Sequence, residues 1–480
     1  GVPVWVVQLV IPIGFLLVAL RILLGSCDTW PGKGLTLLLA GSLVALGIWP
    51  PLPPASLVAP ALILLLGATA LGAPVFTALG GSALILFWGA DVPIAAIPVE
   101  MYTMTVSPTL PTIPLFTLAG YFLAQGGASH RLVRVFQALA GWIRGGPAIV
   151  SAAVCAFFTA FTGASGVTIL ALGGLLMPAL LEARYPPRSS LGLLTASGSL
   201  GLLFPPSLPV ILYAVVAQTP IPDMFLGGIL PGFFMLGLAA WWGMRQGARG
   251  GVEPRAFDVR EAGRAMWEAK WELLLPVVVM VGIFGGFATL VEAAALTALY
   301  AFIIQALVHR DVHPVRDTPR VVAEAGVLIG GVLLILGVAL GFTSYLVDAQ
   351  VPARAVHWVT GAIESPLVFL LLLNVFLLIV GCLMDIFSAI VVVVPLIVPI
   401  GAAFGIDPIH LGIIFLVNME LGYLTPPVGM NLFLAAYRFE KPLPEVYRAV
   451  LPMLLVLLAG VLIITYVPPL TTWLPRWLGS

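Results

Sequence analysis

Two stretches of the chain, SGSLGLLFPPS at 197–207 and NMELGYLTPPV at 418–428, decide the fold. They are related by an offset of 221 residues, and five of their eleven positions are identical, among them one glycine and both prolines. Tandem prolines inside apolar sequence break helices, because proline lacks a backbone N–H donor. The two stretches therefore predict one membrane unit present twice, each copy with a helix broken at a Gly-x-x-x-Pro-Pro element.

The same offset aligns residues outside the two elements. It pairs Leu175 with Leu396, Pro178 with Pro399, and Pro187 with Pro408. Interrupted segments at corresponding places of two halves are the best sequence indication of a transporter's binding site, where half-helix N-termini face an anion and unwound carbonyls coordinate a cation. The alternative is that the prolines only kink packed helices.

Composition places the chain in a membrane. Hydrophobic residues make up 61% of 480 positions, charged residues make up 9%, and the mean hydropathy is +1.12. Soluble domains carry about 25% charged residues. Apolar runs of the length needed to cross a bilayer, about 20 residues, recur along the chain, and we count roughly 13 to 16 embedded segments. Examples are Val4–Leu24, Leu273–Phe287, Val327–Leu346, Pro366–Met384 and Val450–Tyr466.

Two polar connectors interrupt these runs. Arg245–Glu272 has apolar residues at helical spacing, which predicts an amphipathic helix on the membrane, and His309–Arg320 is also basic. Basic loops favour the cytoplasmic side. The predicted organisation is N-terminal helices in 1–50, a first repeat in 51–244, a cytoplasmic connector in 245–272 and a second repeat in 273–480.

Polar residues inside apolar sequence are the candidate ligands. In FTGASGVT (161–168), Thr162, Ser165 and Thr168 with two glycines indicate an unwound turn that offers oxygen ligands to a hard cation. The offset aligns Ala164 of this turn with Asp385, an acid without a nearby cation in sequence. Such an acid is costly in a membrane and indicates function, although it could instead cap a broken helix.

Further polar residues lie near the second break. Asn418 and Glu420 directly precede it, so they rank above Glu292 and Asn374, for which an interhelical hydrogen bond is an equal alternative. Asp407, before a helix start, is expected only to cap that helix.

Several long motifs resemble the large membrane subunit of tripartite ATP-independent periplasmic (TRAP) transporters. The similar stretches are IPLFTLAGYFLAQGG (113–127), TGASGVT (162–168), SGSLGLLFPPSLPVILYAVVA (197–217), LGGILPG (226–232), GIDPIHLGIIFLVNMELGYLTPPVGMNLF (405–433) and LTTWLP (470–475). The resemblance implies an all-α polytopic fold of the ion-transporter type, with two inverted repeats, discontinuous helices and re-entrant hairpins, that works as an elevator. It also implies that residues 1–50 correspond to the last small-subunit helix and a connecting helix of fused versions, so the chain could be the tail of a fusion.

The resemblance also implies a site. One sodium ion is expected at the turn of Thr162 and Ser165 with carbonyls around Gly198, Gly201 and Pro205, and another at Asp385 with Gly422 and Thr425. The expected substrate-binding residues are Thr168, Ser207, Asn418, Glu420 and Asn431. The family's first turn reads Ser-Gly-Ser-Ser, whereas this chain has Thr162-Gly163-Ala164-Ser165, so one hydroxyl ligand is missing.

The resemblance implies a sodium-driven importer in a bacterial inner membrane, with a small four-helix membrane subunit and a periplasmic protein that delivers a carboxylate substrate. No cofactor besides sodium is expected. A solitary carrier that needs no binding protein is the alternative. Lysine plus arginine equals aspartate plus glutamate at 21, which gives no indication of nucleic acid, and the five scattered histidines do not indicate a zinc enzyme such as one with an HExxH motif.

Overall fold

The computed structural model describes residues 9–25, 29–107, 109–143, 145–249 and 257–478. Across these ranges the regular structure is helical, without a strand, and eight helices are long and apolar enough to cross a membrane. The helices form two compact units, one ending at Ala96 and the other beginning at Ile97. The predicted all-α polytopic class is confirmed.

The first unit contains four apolar helices. They are α1 (Val10–Gly25), α2 (Trp30–Ile48), α3 (Pro54–Ala70) and α4 (Val75–Gly89). A proline in the first turn starts α2 and α3, where its missing N–H costs no hydrogen bond. Residues 1–8 and 26–28 lie outside the described residues, so part of the predicted segment 1–50 is not described. The predicted division of the chain into four segments stays a prediction.

The second unit begins with α5 and continues through two similar series of helices. The first series is α5 (Ala96–Thr105), α6 (Thr112–Gln125), α7 (Ala128–Ala140), α8 (Gly146–Thr162), α9 (Ser165–Glu182), α10 (Pro187–Ser197), α11 (Leu208–Val216) and α12 (Ile221–Arg249). The second is α13 (Val259–Glu268), α14 (Lys270–Phe284), α15 (Leu290–Phe302, continued by a π-helical turn, Ile303–Val308), α16 (Thr318–Asp348), α17 (Val351–Ala362), α18 (Pro366–Leu383), α19 (Ile386–Ala403), α20 (Pro408–Gly422), α21 (Met430–Arg438), α22 (Leu443–Tyr466) and α23 (Pro469–Leu478).

The two series repeat each other at the predicted offset. Shifting α9 by 221 residues gives 386–403, which are the bounds of α19, and shifting the start of α10 gives Pro408, the start of α20. In each copy a hairpin (α8–α9, α18–α19) precedes a broken helix (α10–α11, α20–α21). The inverted-repeat architecture with discontinuous helices is therefore confirmed.

The two copies pack crosswise. The second arm of each hairpin lies against the second half of the other copy's broken helix, α9 against α21 and α19 against α11. The first halves of the broken helices pack on the long helix that follows the other copy, α10 on α22 and α20 on α12. Both hairpin turns are thereby held beside the breaks.

The connector between the two series contains the short amphipathic helix α13. Buried Ala262 and Ala265 place one face of α13 on α7, where Arg134 contacts Glu261 and Glu268. The hydrogen bond from Arg134 holds the pKa of the Glu261 carboxyl below its usual value. After this connector the chain breaks between α14, which ends at Phe284, and α15, which begins at Leu290.

Candidate functional site

The turn of the first hairpin is an unwound segment of two residues. After α8 ends at Thr162, Gly163 has a left-handed backbone (φ 64°) and Ala164 is extended. A side chain on Gly163 would place its Cβ 2.6 Å from Leu208 Cβ, so the turn lies directly against the start of α11. The unwound turn predicted from the small hydroxyl residues is confirmed.

A buried threonine ties this turn to the first break. Thr159 Oγ1 donates to the carbonyl of Gly198 at 2.7 Å and lies 2.7 Å from Thr168 Oγ1. Since Thr159 has one hydroxyl proton, Thr168 donates to Thr159. The sequence motifs do not single out Thr159, which lies one turn before FTGASGVT, at i−3 from Thr162 and therefore on the same helix face.

Ser165 joins the two repeats. Its hydroxyl donates to Asn431 Oδ1 at 2.7 Å, and Asn431 Nδ2 donates to the carbonyl of Thr195 at 3.5 Å. All three residues are buried. The structure thus brings together Ser165 from the predicted first sodium set and Asn431 from the predicted substrate set.

The first break leaves several backbone carbonyl oxygens without hydrogen-bond donors. In the described residues the carbonyls of Leu200, Leu202, Leu203 and Pro205 accept no hydrogen bond, while Gly201 accepts one from Phe204 N–H at 3.1 Å. A Cβ on Gly201 would lie 2.1 Å from the carbonyl oxygen of Ala156, so only glycine allows this approach to α8. Ser207 Oγ, another predicted ligand, is buried without a hydrogen-bond partner among these residues. The Pro205–Pro206 and Pro426–Pro427 peptide bonds are both cis.

Asp385 occupies the turn of the second hairpin and caps α19. Its Oδ1 accepts from the backbone N–H groups of Phe387 and Ser388, each at 3.0 Å, and its Oδ2 accepts from Ser388 Oγ at 2.5 Å. The capping role, which sequence analysis gave as the alternative, is present. A carboxylate has about four acceptor positions, so these three bonds leave room for a cation, and the ligand role stays a prediction.

The second break is hydrogen-bonded to this turn. Tyr423 Oη accepts from Ile386 N–H at 2.7 Å, and Gly429 N–H donates to the carbonyl of Cys382 at 3.1 Å. A Cβ on Gly422 would lie 2.5 Å from Gly381 Cα, so α18 and α20 touch at their backbones. The predicted residues Asp385, Gly422 and Thr425 therefore belong to one small region. Tyr423 is not among the predicted site residues, because an aromatic residue in an apolar helix looks in sequence like part of the packed core.

Asn418 faces away from the break. Its Nδ2 donates to Asn374 Oδ1 at 2.5 Å, and Thr465 Oγ1 donates to the same oxygen at 3.1 Å. This is the interhelical hydrogen bond considered for Asn374. The Asn418 side chain thus contacts α18 and α22. The substrate-binding role of Asn418 stays a prediction.

Glu420 and Ser199 lie where the breaks meet. Ser199 Oγ is 3.5 Å from the backbone oxygen of Glu420. These residues are equivalent under the 221 offset, and equivalent residues of two inverted copies can touch only near the pseudo-twofold axis. The two breaks therefore meet at this axis.

Four helices begin at the hairpin turns and breaks. They are α9, α11, α19 and α21, which start at Ser165, Leu208, Ile386 and Met430. The hairpin turns and breaks contain no lysine or arginine (161–168, 197–208, 384–388 and 418–431). A small anion here would be held by helix N-termini, hydroxyl groups and bound cations.

Comparisons with known proteins match this architecture. The family model of the tripartite ATP-independent periplasmic transporter, DctM component, matches residues 62–470. The isethionate TRAP transporter permease protein DctMQ of Oleidesulfovibrio alaskensis is 35% identical over 97% of this chain and 74% of that protein. The C4-dicarboxylate TRAP transporter large permease protein DctM of Pseudomonas aeruginosa is 36% identical over 84% of this chain and 94% of that protein.

A solved structure supports the fold. The crystal structure of the Alcanivorax borkumensis YdaH transporter, described as having an unusual topology, superposes with a TM-score of 0.59 over 89% of this chain and 100% of that chain, at 17% identity. The family match spans both hairpins and both broken helices. The chain belongs to the DctM component, the large permease, of the tripartite ATP-independent periplasmic transporter family.

Proposed function

We propose that this permease imports a small organic anion, driven by sodium. The observation that carries the proposal is the convergence of two hairpin turns and four half-helix N-termini on two breaks that contain no basic side chain. Without lysine or arginine, the site needs bound cations to hold an anion firmly. Coupling of anion binding to sodium binding follows from that need.

Sodium at the first position would use Thr162, Ser165 and the carbonyls of Gly198, Gly201 and Pro205. The Pro205 carbonyl accepts no hydrogen bond among the described residues, and the Gly198 carbonyl is oriented by Thr159 and keeps a second lone pair. The methyl group of Ala164 offers no ligand. Hydroxyl and carbonyl oxygens are the ligands that hard cations prefer.

Sodium at the second position would use Asp385 with Gly422 and Thr425. The Asp385 carboxylate supplies a negative charge beside a break whose Gly422 carbonyl accepts, within the described part of the chain, only Thr425 N–H, at 3.0 Å. Thr425 Oγ1 donates to the Leu421 carbonyl at 2.9 Å and so presents its lone pairs outward. A carboxylate together with neutral oxygens suits a monovalent cation.

The substrate is proposed to be a carboxylate or a related small acid. The named relatives carry a C4-dicarboxylate and isethionate, a sulfonate, so an acidic group is common to both. Thr168, Ser207 and Asn431 are the polar side chains proposed to face it. Ser207 is the most available of the three, since its hydroxyl has no partner among the described residues.

We further propose that a periplasmic binding protein delivers the anion, that a small four-helix membrane subunit completes the complex, and that the hairpins and broken helices move as one body in an elevator motion. The general arrangement of the TRAP family supports the two partners. The match of the DctMQ relative to 97% of the chain supports assigning residues 1–50 to the last small-subunit helix and a connecting helix.

The test uses proteoliposomes that contain the permease with its small subunit. A thermal-shift screen of the cognate binding protein first identifies the anion. Uptake is expected only when that binding protein and an inward sodium gradient are both present. Full uptake without the binding protein would instead establish the solitary-carrier alternative.

A further inference from the structure

Glu420 is a buried acid without a partner. The residue is 2% exposed, and neither carboxylate oxygen has a hydrogen-bond partner in the described part of the chain. The Leu202 N–H lies near the carboxylate but donates to the Ser199 carbonyl at 3.0 Å. Within the described residues, no lysine, arginine or histidine forms an ion pair with it.

An ionised carboxylate in such a place requires a positive charge nearby. Burying an unpaired charge costs several kcal/mol even after the protein relaxes. Acids within membrane proteins therefore face partners or ion pathways. The missing partner of Glu420 points to a bound cation.

The surroundings of Glu420 supply further oxygen ligands. Its backbone touches Ser199 on the pseudo-twofold axis, and its side chain lies against the turn that contains Leu202. The Leu200 and Leu202 carbonyls of this turn accept no hydrogen bond among the described residues, whereas the Leu203 oxygen lies against Gly228 of α12. Carbonyl oxygens beside a carboxylate form a donor set for a hard cation.

We propose that Glu420 is a ligand of a third sodium ion, bound on the pseudo-twofold axis and distinct from the two hairpin positions. The inference rests on the proposed sodium coupling. The second hairpin position has its own acid, Asp385, whose oxygens contact α19, so the Glu420 carboxylate is not needed there.

Charge balance supports three ions. Asp385 and Glu420 each neutralise one sodium ion, while the first hairpin position has only neutral ligands. Its sodium ion leaves one positive charge for the acidic group of the substrate. Glu420 then acts on the anion through a cation rather than by direct contact, which an ionised carboxylate would oppose by repulsion.

The test measures how many sodium ions the protein binds, not the rate of transport. The permease with its small subunit, in lipid nanodiscs, is titrated with radioactive sodium at equilibrium. We expect three ions for the unaltered protein and two for Glu420→Gln, which keeps the shape of the side chain without its charge. Glu292→Gln is the matched control, because Glu292 is exposed and only closes the capping box of α15, and it should keep three.

An unchanged ion count in Glu420→Gln, or two ions in the unaltered protein, would overturn the third position while leaving sodium coupling intact. No sodium binding in the unaltered protein would overturn the proposed function itself. If Glu420→Gln does not fold, Glu420→Asp keeps the charge on a shorter side chain, and it should retain three ions with one bound at least tenfold more weakly. If Glu420→Asp binds all three ions with the affinities of the unaltered protein, the proposal is contradicted.

Discussion

At the scale of single residues, hydrogen bonds link each hairpin turn to the break beside it. Thr159 orients the Gly198 carbonyl in the first copy, and Tyr423 accepts from Ile386 N–H in the second. The two copies use different residue types for the same purpose. The two hairpin turns also differ in chemistry, with neutral hydroxyl groups in one and the Asp385 carboxylate in the other.

Asp385→Asn tests the second sodium position. Asparagine is about as good an N-cap as aspartate, so α19 should stay capped and the protein should fold, while the charge for sodium is lost. We expect the half-saturation concentration for sodium in transport to rise tenfold or more, which corresponds to about 1.4 kcal/mol. Asp407→Asn is the control, since Asp407 likewise caps a helix by accepting from Ile409 and His410 N–H. An unchanged sodium response in Asp385→Asn would exclude this position.

Thr159→Val tests the first position. Valine leaves the Gly198 carbonyl and the Thr168 hydroxyl without their buried partner, at a cost of about 1–3 kcal/mol. The half-saturation for sodium should rise, and Thr159→Ser should restore it. Thr117→Val is the matched control, because buried Thr117 only donates to Ile113 within its own helix. Equal effects of the Thr159 and Thr117 substitutions to valine would show a packing effect alone.

At the scale of elements, each hairpin touches its break through glycine. Gly201 lies against α8 and Gly422 against α18, at equivalent positions of the two copies. The sequence predicts both glycines as parts of a repeated element, but not the helices that they touch. Those contacts depend on how each hairpin folds back onto its break. The periodicity of apolar residues along the sequence gives no information about that folding.

Gly201→Ala should separate the first hairpin from its break. The new methyl group would meet the Ala156 carbonyl oxygen at 2.1 Å, and overpacking of this kind costs about 1–3 kcal/mol. Gly237→Ala in α12 is the control, since no atom lies within 4 Å of the added carbon, and alanine favours a helix by roughly 0.5–1 kcal/mol. Thermal unfolding in detergent should show the first variant destabilised and the second unchanged or stabilised. Equal midpoints would contradict the close contact.

Arg131→Gln tests the contact of α7 with the second half of the chain. Arg131 Nε donates to Glu272 Oε1 at 2.8 Å and its Nη1 to Asp311 Oδ2 at 2.8 Å, and the Glu272 side chain is fully buried. Removing the guanidinium breaks the ion pair and leaves the carboxylate with the Gln305 amide at 3.2 Å and His309 Nε2 at 3.5 Å, at a cost of up to about 3–5 kcal/mol. Arg264→Gln removes an exposed i,i+4 pair and should cost about 0.5 kcal/mol or less. Similar unfolding midpoints for the two variants would refute the buried ion pair.

At the scale of the whole molecule, the protein is a multi-pass inner-membrane protein of the TRAP permease family. Composition predicts the class, and the Gly-Pro-Pro elements predict the repeat almost to the residue, since prolines and glycines mark helix ends directly. The site is less predictable. Asn418 and Glu420 are close along the chain and are therefore predicted to act together. On a helix, however, their side chains point to different sides, Asn418 to Asn374 and Glu420 toward the opposite break.

The most direct test of the account is the effect of the sodium gradient on anion uptake in proteoliposomes holding the complete complex. Uptake should occur with sodium outside, stop when an ionophore removes the gradient, and fail when a potassium gradient replaces it. The expected result is accumulation of the anion above its external concentration only while the inward sodium gradient persists. Accumulation that continues at the same rate without sodium would contradict the central claim that bound sodium ions hold the anion at the two breaks.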